Sequence, residues 1–315
     1  MKRAQRVAHL VAPAGLLVAA LLLSAGLPGA APVAPKTLEL GKGPTIVFFH
    51  GLGGSRLSWM PTAKKLLGGH RVVLVDLPGH GDTALPDPFS VEAVAEALDQ
   101  VLAKQNPDST VIVGQGIGGM LAVLDLKVHP ERARGIVLID VGLKSPITIE
   151  DPQQIKMFER FLDERYDDFM KMAYGRAGRD STEGLRIRAL AMQTPPATMK
   201  AYFRATFTAN ASPAFKSLKV PVLYLGTDRL FRERVQGTLD SRPGYADSVA
   251  ARAHAGPVKD KDWVTLGKSL GFEDPAAVPL RRLSNTGALL MQDQPDSLAA
   301  VISEFTAQAL AAKKK

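Results

Sequence analysis

Val111-Ile112-Val113-Gly114-Gln115-Gly116-Ile117-Gly118-Gly119-Met120 is the stretch whose reading decides the fold. The apolar run Thr110–Gly114 is short and rich in β-branched residues, which suits a strand covered on both faces. A cluster of glycines ends it. From Met120 to Val128 the chain reads as a buried helix that stops before His129-Pro130. A buried strand feeding a helix through a tight glycine turn is one step of an α/β layer structure.

The same alternation continues on both sides. Upstream, Thr45–Phe49 ends in His50-Gly51, and Arg71–Asp76 ends in Leu77-Pro78-Gly79. Downstream lie Gly135–Val141, Val220–Gly226 and Val278–Leu283. Between these runs, Ser90 reads as an N-cap for Val91, Val94, Ala95, Leu98 and Leu102 at helical spacing. Asp296–Ala311 places Leu298, Val301, Ile302 and Phe305 on one face. The pattern predicts an α/β fold with a doubly wound, mostly parallel sheet. Residues 142–217 differ: they are helical in pattern, rich in Met, Phe, Tyr and Arg, and carry no strand signal. They are expected to form an inserted helical cap over the carboxyl edge of the sheet. Residues 36–141 and 218–315 are the two parts of the core, and 1–35 a leader.

Five motifs in order carry a resemblance. They are His50-Gly51-Leu52-Gly53-Gly54-Ser55 with Trp59 nearby; Asp76-Leu77-Pro78-Gly79-His80-Gly81; the glycine turn quoted above; His129-Pro130-Glu131-Arg132; and Asn285-Thr286-Gly287 through Gln294-Pro295-Asp296. Each is weak alone, but their order and spacing over Leu38–Ala311 resemble the α/β-hydrolase superfamily. That resemblance implies backbone N–H groups that stabilise an oxyanion, here those of Leu52 and Ile117. It also implies a serine nucleophile in G-x-S-x-G, a histidine base and an acid.

Two of the three triad positions are substituted. The five elbow residues are Gly114, Gln115, Gly116, Ile117 and Gly118, so the nucleophile position is Gly116, which has no side chain to acylate. Counting back without gaps from Gln294-Pro295-Asp296 puts Ala288 at the histidine position, and alanine transfers no proton. Asp228, after the strand Val220–Gly226, is the expected acid, with Asp140 as the alternative. Ser55 and Ser58 could supply another hydroxyl but read better as helix caps. His254 lies in an Ala/Gly-rich segment without a motif, and His50, His80 and His129 read as structural. The stretch between Leu230 and Ala277 is longer than the family needs and contains a helix-like Asp262–Phe272.

Composition narrows the classes further. The chain has 315 residues, 46% hydrophobic, enough for one large core. It contains no cysteine, which excludes disulfides, thiolate zinc sites and a cysteine nucleophile. The net charge of +8 is concentrated partly at the ends, in Lys2, Arg3, Arg6 and Lys313–Lys315, and no basic-aromatic stripe points to nucleic acid. No cofactor or metal motif is read. Two classes of function follow. One is a catalytically degenerate protein that binds a small apolar ligand under the cap, or a protein partner. The other is an exported, esterase-like hydrolase of carboxylic esters that uses unorthodox residues or is inactivated at nucleophile and base. Either natural loss or deliberate replacement accounts for Gly116 and Ala288.

The first residues have the order of a secretory signal: a basic start, the apolar run Leu10–Leu27, then small residues Gly29–Ala34. An uncleaved anchor is the other reading, since spanning takes roughly 17–25 residues. The chain is therefore expected to be exported to the periplasm or exterior, or held at the membrane only if the leader stays. Mass spectrometry of the native protein should find a new N-terminus near Ala30–Ala34. An intact Met1 in a soluble cytoplasmic fraction would rule export out.

Overall fold

A computed structural model describes residues 33–144, 152–231 and 260–312. Seven strands form one sheet: β1 (Thr37–Gly41), β2 (Thr45–Phe49), β3 (Arg71–Val75), β4 (Thr110–Gln115), β5 (Gly135–Ile139), β6 (Val222–Thr227) and β7 (Leu280–Leu283). Their order is β1-β3-β2-β4-β5-β6-β7, and all neighbours are parallel except β1 and β3. The chain crosses over between β2 and β4, and there the carboxyl ends of adjacent strands open a crevice. Phe49 pairs with Gly114 and with Val75, so His50-Gly51, Asp76 and Gln115 emerge side by side at one edge.

Strands β2 to β6 are buried on both faces because helices cover both, whereas the edge strands β1 and β7 are only partly covered. Val47, Phe49, Ile112, Ile136 and Leu138 pack towards α2 (Val91–Leu102) and α3 (Ile117–Val128). Ile46, Phe48, Val111, Val113 and Ile139 pack on the other side, with Ala63 and Leu66 of α1 (Met60–Leu66) and with Leu298, Ile302 and Phe305 of the C-terminal helix Pro295–Ala311. Full burial of such a side chain is worth about 1.5–3 kcal/mol, so these two layers dominate stability. Ser90 Oγ accepts from Ala93 N–H at 3.0 Å and starts α2.

The strand ends depart slightly from the sequence reading, and local chemistry explains why. β5 stops at Ile139 because Asp140 adopts φ 49°. β6 starts only after Pro221 and β7 only after Pro279, since proline has no N–H to add to the ladder. The edge strand β1 was not anticipated: Thr37-Leu38-Glu39-Leu40-Gly41 alternates in exposure and offers no continuous apolar run. The helix-like stretch near Trp263 is the helix Asp260–Ser269.

Among the described residues, five helices lie between β5 and β6: α4 (Pro152–Glu164), α5 (Tyr166–Tyr174), α6 (Ser181–Ala191), α7 (Pro196–Thr208) and α8 (Ser212–Lys216). The first four form a helical cap with its own small core of Leu162, Phe169, Met170, Ala191 and Met199, while α8 packs through Ala214 into the main core. The cap is tied to the carboxyl edge of the sheet by Tyr202, whose hydroxyl donates to Pro78 O at 2.8 Å, and by Tyr174, which donates to Leu52 O at 2.9 Å. Among the described residues no helix is long and apolar enough to cross a membrane. Residues 1–32 of the leader and Lys313–Lys315 lie outside them.

The glycines around β4 are packing requirements. A Cβ on Gly114 would stand 2.4 Å from Gly119 Cα, and one on Gly118 would stand 2.5 Å from His50 O. Gly114→Ala and Gly118→Ala should each cost on the order of 1–3 kcal/mol or more, because backbone must move. Gly68→Ala, whose Cβ would meet nothing within 4 Å, should change little. Urea denaturation midpoints for the three variants check this ordering.

Candidate functional site

The site is assembled where β2, β4 and the loop after β7 meet under the cap. His50 is fully buried: its Nε2 accepts from Leu77 N–H at 3.0 Å and its Nδ1 donates to Gly51 O at 2.8 Å. Burial holds its pKa down to about 4. His80 accepts from Gly53 N–H at 3.2 Å and packs edge-on against His50 and Tyr202, and burial holds it at about 3. Both rings are thus neutral at pH 7 and spend their nitrogens on the backbone of the two loops that flank the site. Asp76 gathers the second loop: it accepts from Arg56 N–H at 2.6 Å and Asp82 N–H at 3.2 Å and pairs with the Arg56 guanidinium. His129 lies elsewhere, at the far end of α3.

Gly116 links β4 to α3 with φ 51° and ψ −120°, a backbone region that residues with a Cβ rarely enter. Its N–H donates to Ile139 O at 2.9 Å and its carbonyl accepts from Met120 N–H at 3.1 Å. Unlike its neighbours, Gly116 is not squeezed: an added Cβ would find only Gly51 Cα, at 4.0 Å. Space for a side chain exists there, and only the torsion favours glycine.

Gln115, to which sequence reading gave no role, is the crosslink of the site. Its Oε1 accepts from Gly51 N–H at 3.3 Å, and its Nε2 donates to Ala288 O. Ala288 in turn donates its N–H to Ala177 O of the cap at 2.7 Å. Gly116 and Ala288 therefore both border the same space, which also receives Leu52 and Ile117. Among the described residues no acceptor bonds the N–H of Leu52 or of Ile117. Ile117 opens a helix of 12 residues, so its N–H carries the positive end of the helix dipole.

The two acids separate. Asp228 follows β6, where its carboxylate accepts from Arg282 Nε at 2.7 Å and Asn285 N–H at 2.6 Å. It fastens the loop that carries Ala288 but does not line the cavity. Asp140 does line it, held by Thr227 N–H at 2.8 Å and by the Thr227 hydroxyl. Ser55 and Ser58 also border the cavity, and Ser58 Oγ accepts from Ser55 N–H at 3.1 Å as a local cap. His254 lies outside the described residues.

The cavity measures about 710 Å³, a size that admits a small organic molecule. Apolar walls come from Leu52, Ile117, Ala191 and Phe203, and polar ones from Gln115, Asp140 and Arg229. Its cap-side rim is stitched to the last loop by a charged cluster. Glu183 accepts from Arg179 N–H at 2.6 Å, and Asp293, whose Oδ1 stands 3.8 Å from Arg179 Nε, accepts from Gly287 N–H at 2.8 Å. Burial and the Glu183 charge raise Asp293 to about 6, while the Arg179 hydrogen bonds hold Glu183 near 2 despite its burial.

Comparison with known proteins agrees with this architecture. A family model described as "alpha/beta hydrolase fold" matches residues 44–219, more than half of the chain. A pimeloyl-[acyl-carrier protein] methyl ester esterase of Edwardsiella ictaluri is 27% identical over 67% of this chain and 86% of its own length. One of the same name from Pseudoalteromonas atlantica is 34% identical over 35% of this chain and 42% of its own length. Several curated relatives are thus matched over less than half of their length. Among solved structures, a thermophilic esterase from Thermogutta terrifontis gives a TM-score of 0.63 at 18% identity, covering 89% of this chain and 95% of that one. The enol-lactonase of Burkholderia xenovorans gives 0.62 at 16%, covering 88% and 98%. At such identities the likeness is one of fold.

The carboxyl pair generates a test with a definite sign. A carboxyl raised on folding binds its proton more tightly in the native state, so its stabilising contribution is present below about pH 4 and is lost as pH rises through about 6. Asp293→Asn removes that loss while keeping a carbonyl for Gly287 N–H. The melting temperature of the variant relative to the parent should therefore climb between pH 4 and pH 7. A difference that stays flat over that range would refute the raised Asp293 carboxyl.

Proposed function

The chain belongs to the alpha/beta hydrolase fold family, and within it we propose a catalytically degenerate member that binds a small ligand in the cavity beneath its cap. The observation that carries this reading is Gly116 at the tip of the strained turn, facing the same cavity as Ala288. Acyl transfer in this family needs a hydroxyl at the first position and an imidazole near the second. This chain offers hydrogen at one and methyl at the other. What remains is a preformed pocket with two uncommitted N–H donors on its floor, suited to an oxygen of a ligand whose remainder is apolar. No step of the reading requires a metal or an organic cofactor.

A second reading, hydrolysis of carboxylic esters through other residues, draws on the curated relatives named methyl ester esterases and on the same N–H pair. Asp140 and the Ser55–Ser58 turn are the groups at hand. Binding without turnover and turnover by a new route are separable by assay with short acyl esters, methyl esters included, on protein starting at Lys36. The degenerate reading expects no labelling by fluorophosphonate probes. It expects ester hydrolysis no higher than an oxyanion hole alone supplies, on the order of 10³–10⁴ over water. Stoichiometric labelling mapped to any serine would establish the hydrolase instead.

Rebuilding the site tests the assignment of both positions. Gly116→Ser introduces a Cβ at φ 51°, at a cost of about 1–3 kcal/mol, but into open space, so the variant should fold with a lowered melting temperature. Neither it nor Ala288→His alone should gain much activity, whereas the double variant should gain far more than the sum, because triad members act as a unit. A folded double variant no more active than the singles would mean that these are not the nucleophile and base positions.

A further inference from the structure

α3 has a second end. While its first N–H faces the cavity, its last turn brings Asp125 and the C-cap His129 against Asp99 of α2. From Gly116 to Asp125 the helix rise is about 14 Å at 1.5 Å per residue, so this group is separate from the cavity. Asp125 is only 3% exposed, yet its Oδ2 has no hydrogen-bond partner. A buried carboxylate oxygen without a donor is costly, and each such group in a native fold calls for an explanation.

The surroundings point to a cation. One ligand atom from each of Asp99, Asp125 and His129 lies within 4.8 Å of the others, and His129 Nε2 stands 3.8 Å from Asp99 Oδ2. Tetrahedral ligands at zinc-like bond lengths of about 2.0–2.2 Å sit about 3.3–3.5 Å apart, so the widest pair has to close by up to about 1.5 Å. His129 and Asp99 are both partly exposed and able to make that movement. The other ring nitrogen, His129 Nδ1, faces Glu131 Oε1 at 3.8 Å, the position of a carboxylate that orients a ligating imidazole. Arg132 holds Asp99 in place, with Nε donating to Oδ1 at 2.6 Å and Nη2 to Oδ2, the oxygen that faces His129, at 3.2 Å. Asp99, Asp125 and Glu131 together outnumber this one guanidinium. The carbonyl end of α3 adds further negative potential.

We propose that Asp99, Asp125 and His129 form a divalent transition-metal site, with Zn²⁺ the best match, that staples the end of α3 to α2. One imidazole with two carboxylates is a donor set of borderline hardness, suited to zinc or manganese more than to magnesium, which prefers all-oxygen octahedra. Solvent completes the coordination. The role is structural: the ion supplies Asp125 with the partner that no protein donor provides.

The experiment titrates Zn²⁺ alone into the full chain by calorimetry and melts the protein with Zn²⁺, with Mg²⁺ and with EDTA. The expected result is one equivalent of Zn²⁺ bound and a higher melting temperature with Zn²⁺ than with Mg²⁺ or EDTA. His129→Ala, at a half-exposed position with little folding risk, should abolish both effects. Asp125→Asn, which removes the buried charge, should melt in EDTA at or above the parent temperature and yet lose the Zn²⁺ response. Glu131→Gln should weaken binding about tenfold. The proposal is overturned if the parent binds no Zn²⁺ at hundred-micromolar concentration. It is equally overturned if Asp125→Asn or His129→Ala binds as the parent does.

Discussion

The rest of this structure depends on how closely α3 approaches the end of β2. A methyl group on Gly118 would fall 2.8 Å from Phe49 O and 2.5 Å from His50 O, and one on Gly119 would fall 2.3 Å from a Val141 methyl. Helix and strand can meet at that distance only through backbone. The contact fixes where α3 begins and so aims the Ile117 N–H at the cavity. It also forces the turn at Gly116 to be abrupt, which accounts for φ 51° there. His50 then secures the other side of the contact by bridging Gly51 to Leu77.

Against this frame the glycine at 116 stands apart. Glycine at 114, 118 and 119 is demanded by neighbours at 2.3–2.5 Å, but at 116 the nearest atom is at 4.0 Å. The position has room for a side chain, and only its φ of 51° favours glycine. Nothing nearby has moved in: the cavity persists, and Gln115 spans its edge from Gly51 to Ala288. A site maintained in this way is stiff. Its two buried histidines are neutral and committed to backbone, and its last loop is anchored by Asp228, Asp293 and Ala177.

What was legible in the sequence follows from which constraints are local. The parallel strands announced themselves as apolar runs, and the tight turns as glycine clusters, because both are demanded by burial and backbone sterics within a few residues. Asp76-Leu77-Pro78-Gly79-His80-Gly81 could be read as a motif because a Cβ on Gly81 would strike the Asp76 carboxylate at 2.2 Å. The edge strand β1, half exposed, has no such imprint. Long-range pairings were equally silent. Nothing in the spacing joins Gln115 to Ala288, Tyr174 to Leu52 or Arg179 to Asp293, since cap and core meet only after folding. Asp228 was selected by its place after a strand. Its carboxylate is saturated by Arg282 and Asn285, while Asp140, the alternative, faces the cavity.

The proposed reading has an energetic consequence that separates it from mere loss. In a working acyl-transfer site, donors aimed at a developing oxyanion are useful because they bind the transition state better than the ground state. When no nucleophile can raise the carbonyl to an oxyanion, the same N–H groups act only on ground-state oxygens. A carboxylate already carries the charge that a carbonyl would have to develop, so it is the better partner for Leu52 and Ile117 at the positive end of α3. On the proposed reading, a pocket without a nucleophile favours a stable anion or strongly polarised carbonyl with an apolar body over a reacting ester. A family scaffold needs no new architecture to make that change, because the constraint that builds the donors lies in the α3–β2 contact and not in the residue at 116.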